Sequence, residues 1–512
     1  MGAARDGRTP CIIGAGRRTW RPGDVGPDGA PEPLLMWEEV ARLADDDTGG
    51  SSAAGRLDRI DVVYCQAWQY DDPAGRLAAR LGARPGRSAY SGIGGTVPQT
   101  LVADAARHIL RGDLDLTLVV GAEALATKRR LRKEGRRPPW SFRPEERRPF
   151  PLDAPPHPGE VTHRIFEAWL TFALFENARR AHLGTDLGTY RRSLGELLAP
   201  MTAVAAANPY AWFPRARGVD EIIGPTPDNR MVGYPYSKLM TAIMDVDMAA
   251  AVIVASDAMA DSMGVPVDRR VYLRGWGYAE DPPPVAGRVE LWRSGAMEAA
   301  AAAALQGAGA GVEDVAHFDL YSCFASSIEF SLDALGIEGA AARSRGPEVV
   351  PERPVSVTGG LAYHGGPGSN YMTHSLATMV QELRRDPGSL GMVSGVGMHM
   401  NKHVFAAYST EPGPLVPPDD RSVSAQATMD QAAIVDSFEG PARVATYSVV
   451  HGRDGEPDWG ALVCDLPSEA GAPTRCYARL ADPDALIEAE HAELVGRTVQ
   501  LVSADGRTEA RL

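Results

Sequence analysis

Cysteine is scarce: there are five in 512 residues (Cys11, Cys65, Cys323, Cys464 and Cys476), dispersed and in no CxxC spacing. An odd, scattered set excludes a disulfide framework and fits a reducing compartment. Aromatics are sparse at 7%, so the apolar mass rests on Ala, Val, Leu and Ile. No apolar run approaches the ~18 residues of a spanning helix, and the opening MGAARDGRTPCIIGAG lacks the apolar core of a signal peptide. A cytoplasmic protein without a membrane span is expected. Basic charge is also short, since 52 Lys+Arg against 66 Asp+Glu leave a net −14. That balance argues against a nucleic-acid partner.

What is present is an alternation of short apolar runs and Ala-rich stretches, the pattern of an α/β protein. Ile12-Ile13, Ile60 to Tyr64 and Leu114 to Val120 read as buried strands, and Val97 to Leu110 as a helix closed by Arg111-Gly112. A second set follows: a helix from about Ala296, a strand His317 to Leu320, a helix Ser326 to Leu335, and strands at Gly391 to Val396 and Val355-Ser356. Two halves of similar grammar suggest an internal duplication. Between them lies an insert, Thr127 to Lys238. Its start, Lys128 to Arg148, holds ten Lys/Arg against three Glu, a local net of +7. Such a run either recruits an anion or is a solvated face. Beyond the Pro-rich linker Glu411 to Asp420 come strands at Ala442–Val450, Trp459–Leu466, Arg475–Leu480 and Thr498–Val502. Arg453-Asp454-Gly455 marks a hairpin between the first two, and Asp482-Pro483 a helix start. This reads as a small, mainly β domain of barrel type.

Generic catalytic motifs are missing. Gly14-Ala15-Gly16, read as following a strand, lacks the third glycine of a dinucleotide site, and no phosphate loop, HExxH or GxSxG occurs. The histidines show no zinc spacing, so no metal site is expected. Three Gly-rich segments stand out as candidate strand–helix loops: SGIGGTVPQ (91–99), TGGLAYHGGPGSNY (358–371) and VSGVGMHMNKH (393–403). A fourth, DLYSCFASS (319–327), puts Tyr321 and Cys323 at a strand end, where ligands bind in α/β sheets.

The series DLYSCFASS, GGLAYHGGPGSNY and SGVGMHMNKH resembles the thiolase superfamily, nearest to sterol-carrier-protein-type thiolases and thiolase-like proteins with an added C-terminal domain. RGDLDLTLVVGAEALAT (111–127) resembles the strand after the nucleophile helix, while NPYAWFPRA, GYPYSKLM and VDMAAAVIVAS (208–256) resemble the acyl-CoA loop region and the strand beyond it. The resemblance spans residues 9–410, and the last hundred match the appended domain. It implies a five-layer αβαβα fold from two similar halves, 1–260 (with the insert 127–238) and 261–410, plus a mainly β, OB-like domain at 421–512. It also implies an acetyl-CoA acetyltransferase-like protein of lipid metabolism, taking a coenzyme A thioester as substrate or ligand with no bound cofactor. Either a homodimer or a monomer is compatible with it.

The family's catalytic positions do not carry over intact. The nucleophilic cysteine falls on Gly95, next to Thr96, and glycine forms no thioester. The family's Asn-Glu-Ala-Phe or His-Asp-Cys-Phe motif reads Tyr321-Ser322-Cys323-Phe324. Here Tyr321 is a candidate oxyanion donor, and Cys323 either an acid/base or a small buried hydrophobe. Gly-His-Pro reads Gly365-Gly366-Pro367, with His364 two residues earlier as a candidate acid/base or a plain loop histidine. The Cys-x-Gly loop has Ser394-Gly395, with His399 close behind. Gly95, Thr96, Gly366, Ser394 and Gly395 are therefore expected to line the substrate, and Arg129, Arg132 and Arg136 to face the CoA phosphates. The expected chemistry is carbon–carbon bond reaction, with an enolate held by Tyr321 and His364 and a proton moved by Cys323 or Tyr363, or acyl transfer from an unusual nucleophile. A non-catalytic acyl-CoA-binding or scaffold protein is the alternative.

Overall fold

The computed structural model describes residues 7–153, 155–337, 354–419, 431–467 and 471–512. Its main body is a nine-stranded sheet. From edge to edge the order is Arg87–Tyr90, Arg59–Val62, Leu116–Ala124, Asp247–Ser256, Pro10–Thr19, Val271–Glu280, Lys402–Ser409, Leu390–Gly397 and Val315–Asp319. The central strands are buried on both faces, which is why they read as continuous Ala/Val/Leu/Ile runs rather than alternating ones.

The duplication expected from the sequence is visible in the signs of the strand pairings. In the first half, Arg59–Val62 runs parallel to Leu116–Ala124, which pairs antiparallel with Asp247–Ser256, itself antiparallel to Pro10–Thr19. In the second, Val315–Asp319 runs parallel to Leu390–Gly397, which pairs antiparallel with Lys402–Ser409, itself antiparallel to Val271–Glu280. The halves join where Cys11 and Ile12 pair with Tyr272 and Val271. Helices Val97–Arg111 and Tyr371–Arg385 touch each other and strands of both halves, so they form the central layer. Pro33–Asp47 covers the outside of the first half and Gly295–Ala308 that of the second. The result is a five-layer αβαβα body.

The paired glycines of the first strand are explained by the same symmetry. Gly14 and Gly16 lie inside the strand Pro10–Thr19, not after it, and a Cβ on them would overlap the carbonyls of Ala44 and Val40 in the outer helix. Gly275 and Gly277 meet the carbonyls of Ala304 and Ala300 in the same way. In each half a Gly-x-Gly lets one helix lie directly on the strand, so this motif serves packing.

Two further expectations change. The segment 393–403 is not a strand–helix loop but a hairpin between antiparallel strands, with Met398 and Met400 at left-handed φ of 52° and 57° in its turn. Val355 and Ser356 form no strand; the carbonyl of Val355 accepts from Leu320 N at 2.9 Å.

In the C-terminal region, strands Gly440–His451, Pro457–Asp465, Thr474–Leu480, Arg507–Arg511 and Thr498–Ala504 pair successively and close on one another as a five-stranded OB-like barrel. Asp482 caps the intervening helix Pro483–His491 by accepting from Ala485 N at 2.9 Å. The barrel borrows a strand from the insert through the pair Val450–Gly233, and its Trp459, Val463 and Tyr477 belong to the main hydrophobic core. Asp420, the end of the expected linker, and residue 421, the expected domain start, lie outside the described residues. No helix among the described residues is long and apolar enough to cross a membrane.

Candidate active site

Helix Val97–Arg111 begins from the Gly-rich loop at Thr96, has Pro98 in its first turn, and ends on left-handed Gly112. Tyr321 leaves the end of strand Val315–Asp319 and is fixed by its backbone N–H, which donates to Ser394 Oγ at 2.9 Å. Its ring meets Tyr371 edge-on at 5.5 Å and points at Gly95. A Cβ on Gly95 would overlap the Tyr321 hydroxyl and the Val396 carbonyl oxygen, and would lie 2.5 Å from Tyr321 Cζ. The tyrosine therefore fills the volume that a side chain at position 95 would need. A Cβ on Gly395 would lie 3.1 Å from Gly95 O, and one on Gly397 3.5 Å from Thr96 Oγ1. Gly95, Thr96, Tyr321, Ser394 and Gly395 thus meet in one place, at the start of the central helix.

The candidate acid/base groups do not join them in one network. No hydrogen bond or ion pair connects any two of Tyr321, Cys323, His364 and His399 among the described residues. Cys323 Sγ donates to Ser327 Oγ at 3.7 Å, and burial pushes its thiol up to about 12. Burial likewise holds the Tyr321 phenol above its ordinary range, so Tyr321 keeps its proton and is a donor. His364 is fully buried, its Nδ1 3.3 Å from Asn208 Nδ2 and its Nε2 3.5 Å from His374 Nδ1. Burial, helped by Arg17 and Arg21, pushes it down to about 3. Gly366 packs against Leu361, and Tyr363 turns a buried hydroxyl with no partner among the described residues.

His399 is placed differently. It sits on the hairpin turn in the wall of a 570 Å³ cavity whose other walls include Phe150, Phe166, Pro283 and Lys402. Its Nε2 lies 3.1 Å from the Phe166 carbonyl. A carbonyl only accepts, so Nε2 carries the hydrogen and Nδ1 is left as an acceptor. Burial lowers its pKa, which keeps the ring neutral. The cavity adjoins the Gly-rich loop: Asp153, also in its wall, pairs with Lys402 and lies 4.0 Å from where a Cβ on Gly92 would be.

The basic run is partly answered by acids from elsewhere. Arg129 pairs with Asp245, and Arg136 with Asp28 at 2.9 Å and Glu134 at 3.1 Å. Arg132 is exposed and makes no ion pair among the described residues.

Three groups escaped the sequence reading. Glu123, in a strand buried throughout, accepts from the backbone of Gln66 (2.7 Å) and Ala67 (2.9 Å), and burial pushes it up to about 7. A lone charge in an otherwise apolar strand was the available signal. Asp281 accepts from Ser294 Oγ, lies 3.0 Å from His403 Nε2 and faces Arg288, which donates to the His399 carbonyl at 2.8 Å. That chain fixes the hairpin carrying His399. His374, the third, is a neutral buried neighbour of His364. No group of three His, Cys, Asp or Glu able to hold a metal occurs among the described residues.

No protein-family model and no curated protein matches the sequence. Solved structures do. A monomeric SCP2-thiolase-like protein type 1 from Mycobacterium smegmatis is 28% identical, with a TM-score of 0.83 over 99% of this chain and 100% of its own. An Ltp2–ChsH2(DUF35) aldolase (16%, TM-score 0.57, 78% of this chain and 97% of that one) shares the fold. So does the dimeric peroxisomal thiolase of Saccharomyces cerevisiae (16%, 0.55, 80% and 99%). With its repeated halves, its central helix pair and its appended barrel, the chain has the thiolase fold and is similar over its whole length to an SCP2-thiolase-like protein.

Proposed function

We propose that the chain binds a coenzyme A thioester between the hairpin cavity and the Gly95–Thr96 loop, and acts on it without forming an acyl-enzyme. The observation that carries this is the Tyr321 ring in the space of a residue-95 side chain. A covalent route needs an activated nucleophile. With burial pushing its thiol up to about 12, Cys323 stays protonated at pH 7 and is a poor nucleophile. Thr96 has no base hydrogen-bonded to its hydroxyl among the described residues. What remains is a donor and a base. The Tyr321 hydroxyl, at the start of helix Val97–Arg111, suits a thioester oxygen gaining negative charge. His399 Nδ1 suits removal of a proton from a β-hydroxyl or an α-carbon. This is the equipment for making or breaking a carbon–carbon bond in an acyl-CoA. Arg132, exposed and without an ion pair among the described residues, is a cation of the basic run suited to the CoA phosphates.

A second reading is favoured by His364, whose two ring nitrogens both face buried side chains. On that reading the fold binds acyl-CoA and catalyses nothing. Incubation with 3-ketoacyl- and 3-hydroxyacyl-CoAs, with mass spectrometry of products and calorimetry of binding, separates the two. Binding with chain cleavage supports the first and binding alone the second. Absence of binding by any CoA ester refutes both.

A further inference from the structure

A second cavity, of 690 Å³, shares no wall residue with the hairpin cavity. Its walls include Arg17, Asn208, Tyr210, Ser356 and Thr378. Arg17 is the unusual member. Only 7% of it is exposed, and its guanidinium cannot shed its charge at neutral pH. A buried cation ordinarily has a carboxylate partner, because removing it from water unpaired is costly. Here Nη1 donates to Thr378 Oγ1 and Nη2 to Gln381 Oε1, both neutral acceptors. The charge also lies 4.2 Å above the Tyr210 ring, and Nε has no partner. No carboxylate pairs with Arg17 among the described residues. The other charges of the wall are engaged: Arg385 with Glu382 at 2.6 Å, and His317 with Asp386 at 2.9 Å.

We propose that this cavity is an anion site, taking the carboxylate or phosphate end of a small organic molecule at Arg17, separate from the thioester site. Its apolar walls, Val204, Ala207 and Val357, suit a carbon skeleton behind the charged end. The site is wired to His364. Thr378 accepts from Arg17 and donates to the His374 carbonyl at 2.7 Å, and the His374 ring faces His364. The positive charge of Arg17 is one of the causes depressing both histidines, so an anion at Arg17 relieves that depression.

The test is thermal unfolding of the full chain with inorganic phosphate or butyrate as probe, against chloride at equal ionic strength. A saturable rise in Tm is expected. A rise with phosphate alone assigns a phosphorylated occupant, and one with butyrate a carboxylic acid. In Arg17→Met, basal Tm is expected at or above that of the wild type, because an unpaired buried charge is replaced by an apolar chain of similar length, while the probe effect is lost. Glu382→Gln removes the nearest carboxylate from the wall and frees Arg385, so the probe's midpoint falls several-fold. Neither probe shifting the wild type, equal shifts in Arg17→Met, or an unchanged midpoint in Glu382→Gln overturns the proposal.

Discussion

Putting a side chain back at position 95 measures how far Tyr321 has taken its place. Gly95→Ala adds one Cβ, which overlaps the Tyr321 hydroxyl and the Val396 carbonyl and lies 2.5 Å from Tyr321 Cζ. Overpacking of this kind costs about 1–3 kcal/mol, and the upper end applies because one neighbour is backbone. The apparent Tm falls by a few degrees. Tyr321→Ala alone leaves a cavity and costs about 3–5 kcal/mol, as for other aromatic truncations. In the double variant the new methyl group enters the emptied space, so the two costs fall short of additivity by about 1–2 kcal/mol, inside the range for contacting residues. Tyr321→Phe gives no such relief, because it leaves Cζ in place. Circular-dichroism melts of the four proteins read the cycle. Costs that add, or a Gly95→Ala protein that melts like the wild type, would refute the steric argument.

Other outcomes follow from the same geometry. His399→Gln keeps CoA binding and lowers turnover of any cleaved 3-hydroxyacyl-CoA by about 10²-fold or more, read by product mass spectrometry; unchanged turnover removes His399 as the base. Arg132→Gln weakens CoA binding several-fold by calorimetry, whereas Arg129→Gln and Arg136→Gln, whose side chains are already paired, change it little. The fold holds His364 and His374 neutral, His364 with a pKa near 3. Below pH 6.5 the unfolded chain therefore binds more protons, and this contribution to stability is lost as pH falls from 6.5 toward 3. Glu123 has the opposite sign: raised to about 7, its contribution is present below pH 4.5 and lost as pH rises through 7. Between pH 4.5 and 6.5 the stability of His364→Gln should gain less, or lose more, with rising pH than that of the wild type; equal pH dependence contradicts the assignment.

The fold was legible because each half must bury its sheet between helices, which forces long apolar strands and Ala-rich helices into the sequence itself. Gly275 and Gly277 repeat Gly14 and Gly16, so even the close helix–strand contact was written twice. The hairpin at 397–402 was not legible, because its turn uses Met398 and Met400 at left-handed φ, where glycine or asparagine would have signalled it. The strand lent by Met231–Gly233 to the barrel is set by tertiary pairing, and three residues carry no period to read. At the site, residue identities were visible but directions were not. Gly95 signalled a missing nucleophile, yet only the placement of Tyr321 shows why no side chain fits there. His364 looked available from its Gly-rich loop, but its ring turns away to Asn208 and His374. The basic run looked uniform, though its partners Asp28 and Asp245 lie far away in sequence.

The claim at the centre is thioester binding without an acyl-enzyme. Intact-mass spectrometry of the full chain after incubation with acetyl-CoA and longer acyl-CoAs, at concentrations where calorimetry shows the site filled, tests it most directly. The account predicts the unmodified mass with the site occupied. An acyl adduct that resists gel filtration and maps to Cys323 or Thr96 would contradict it.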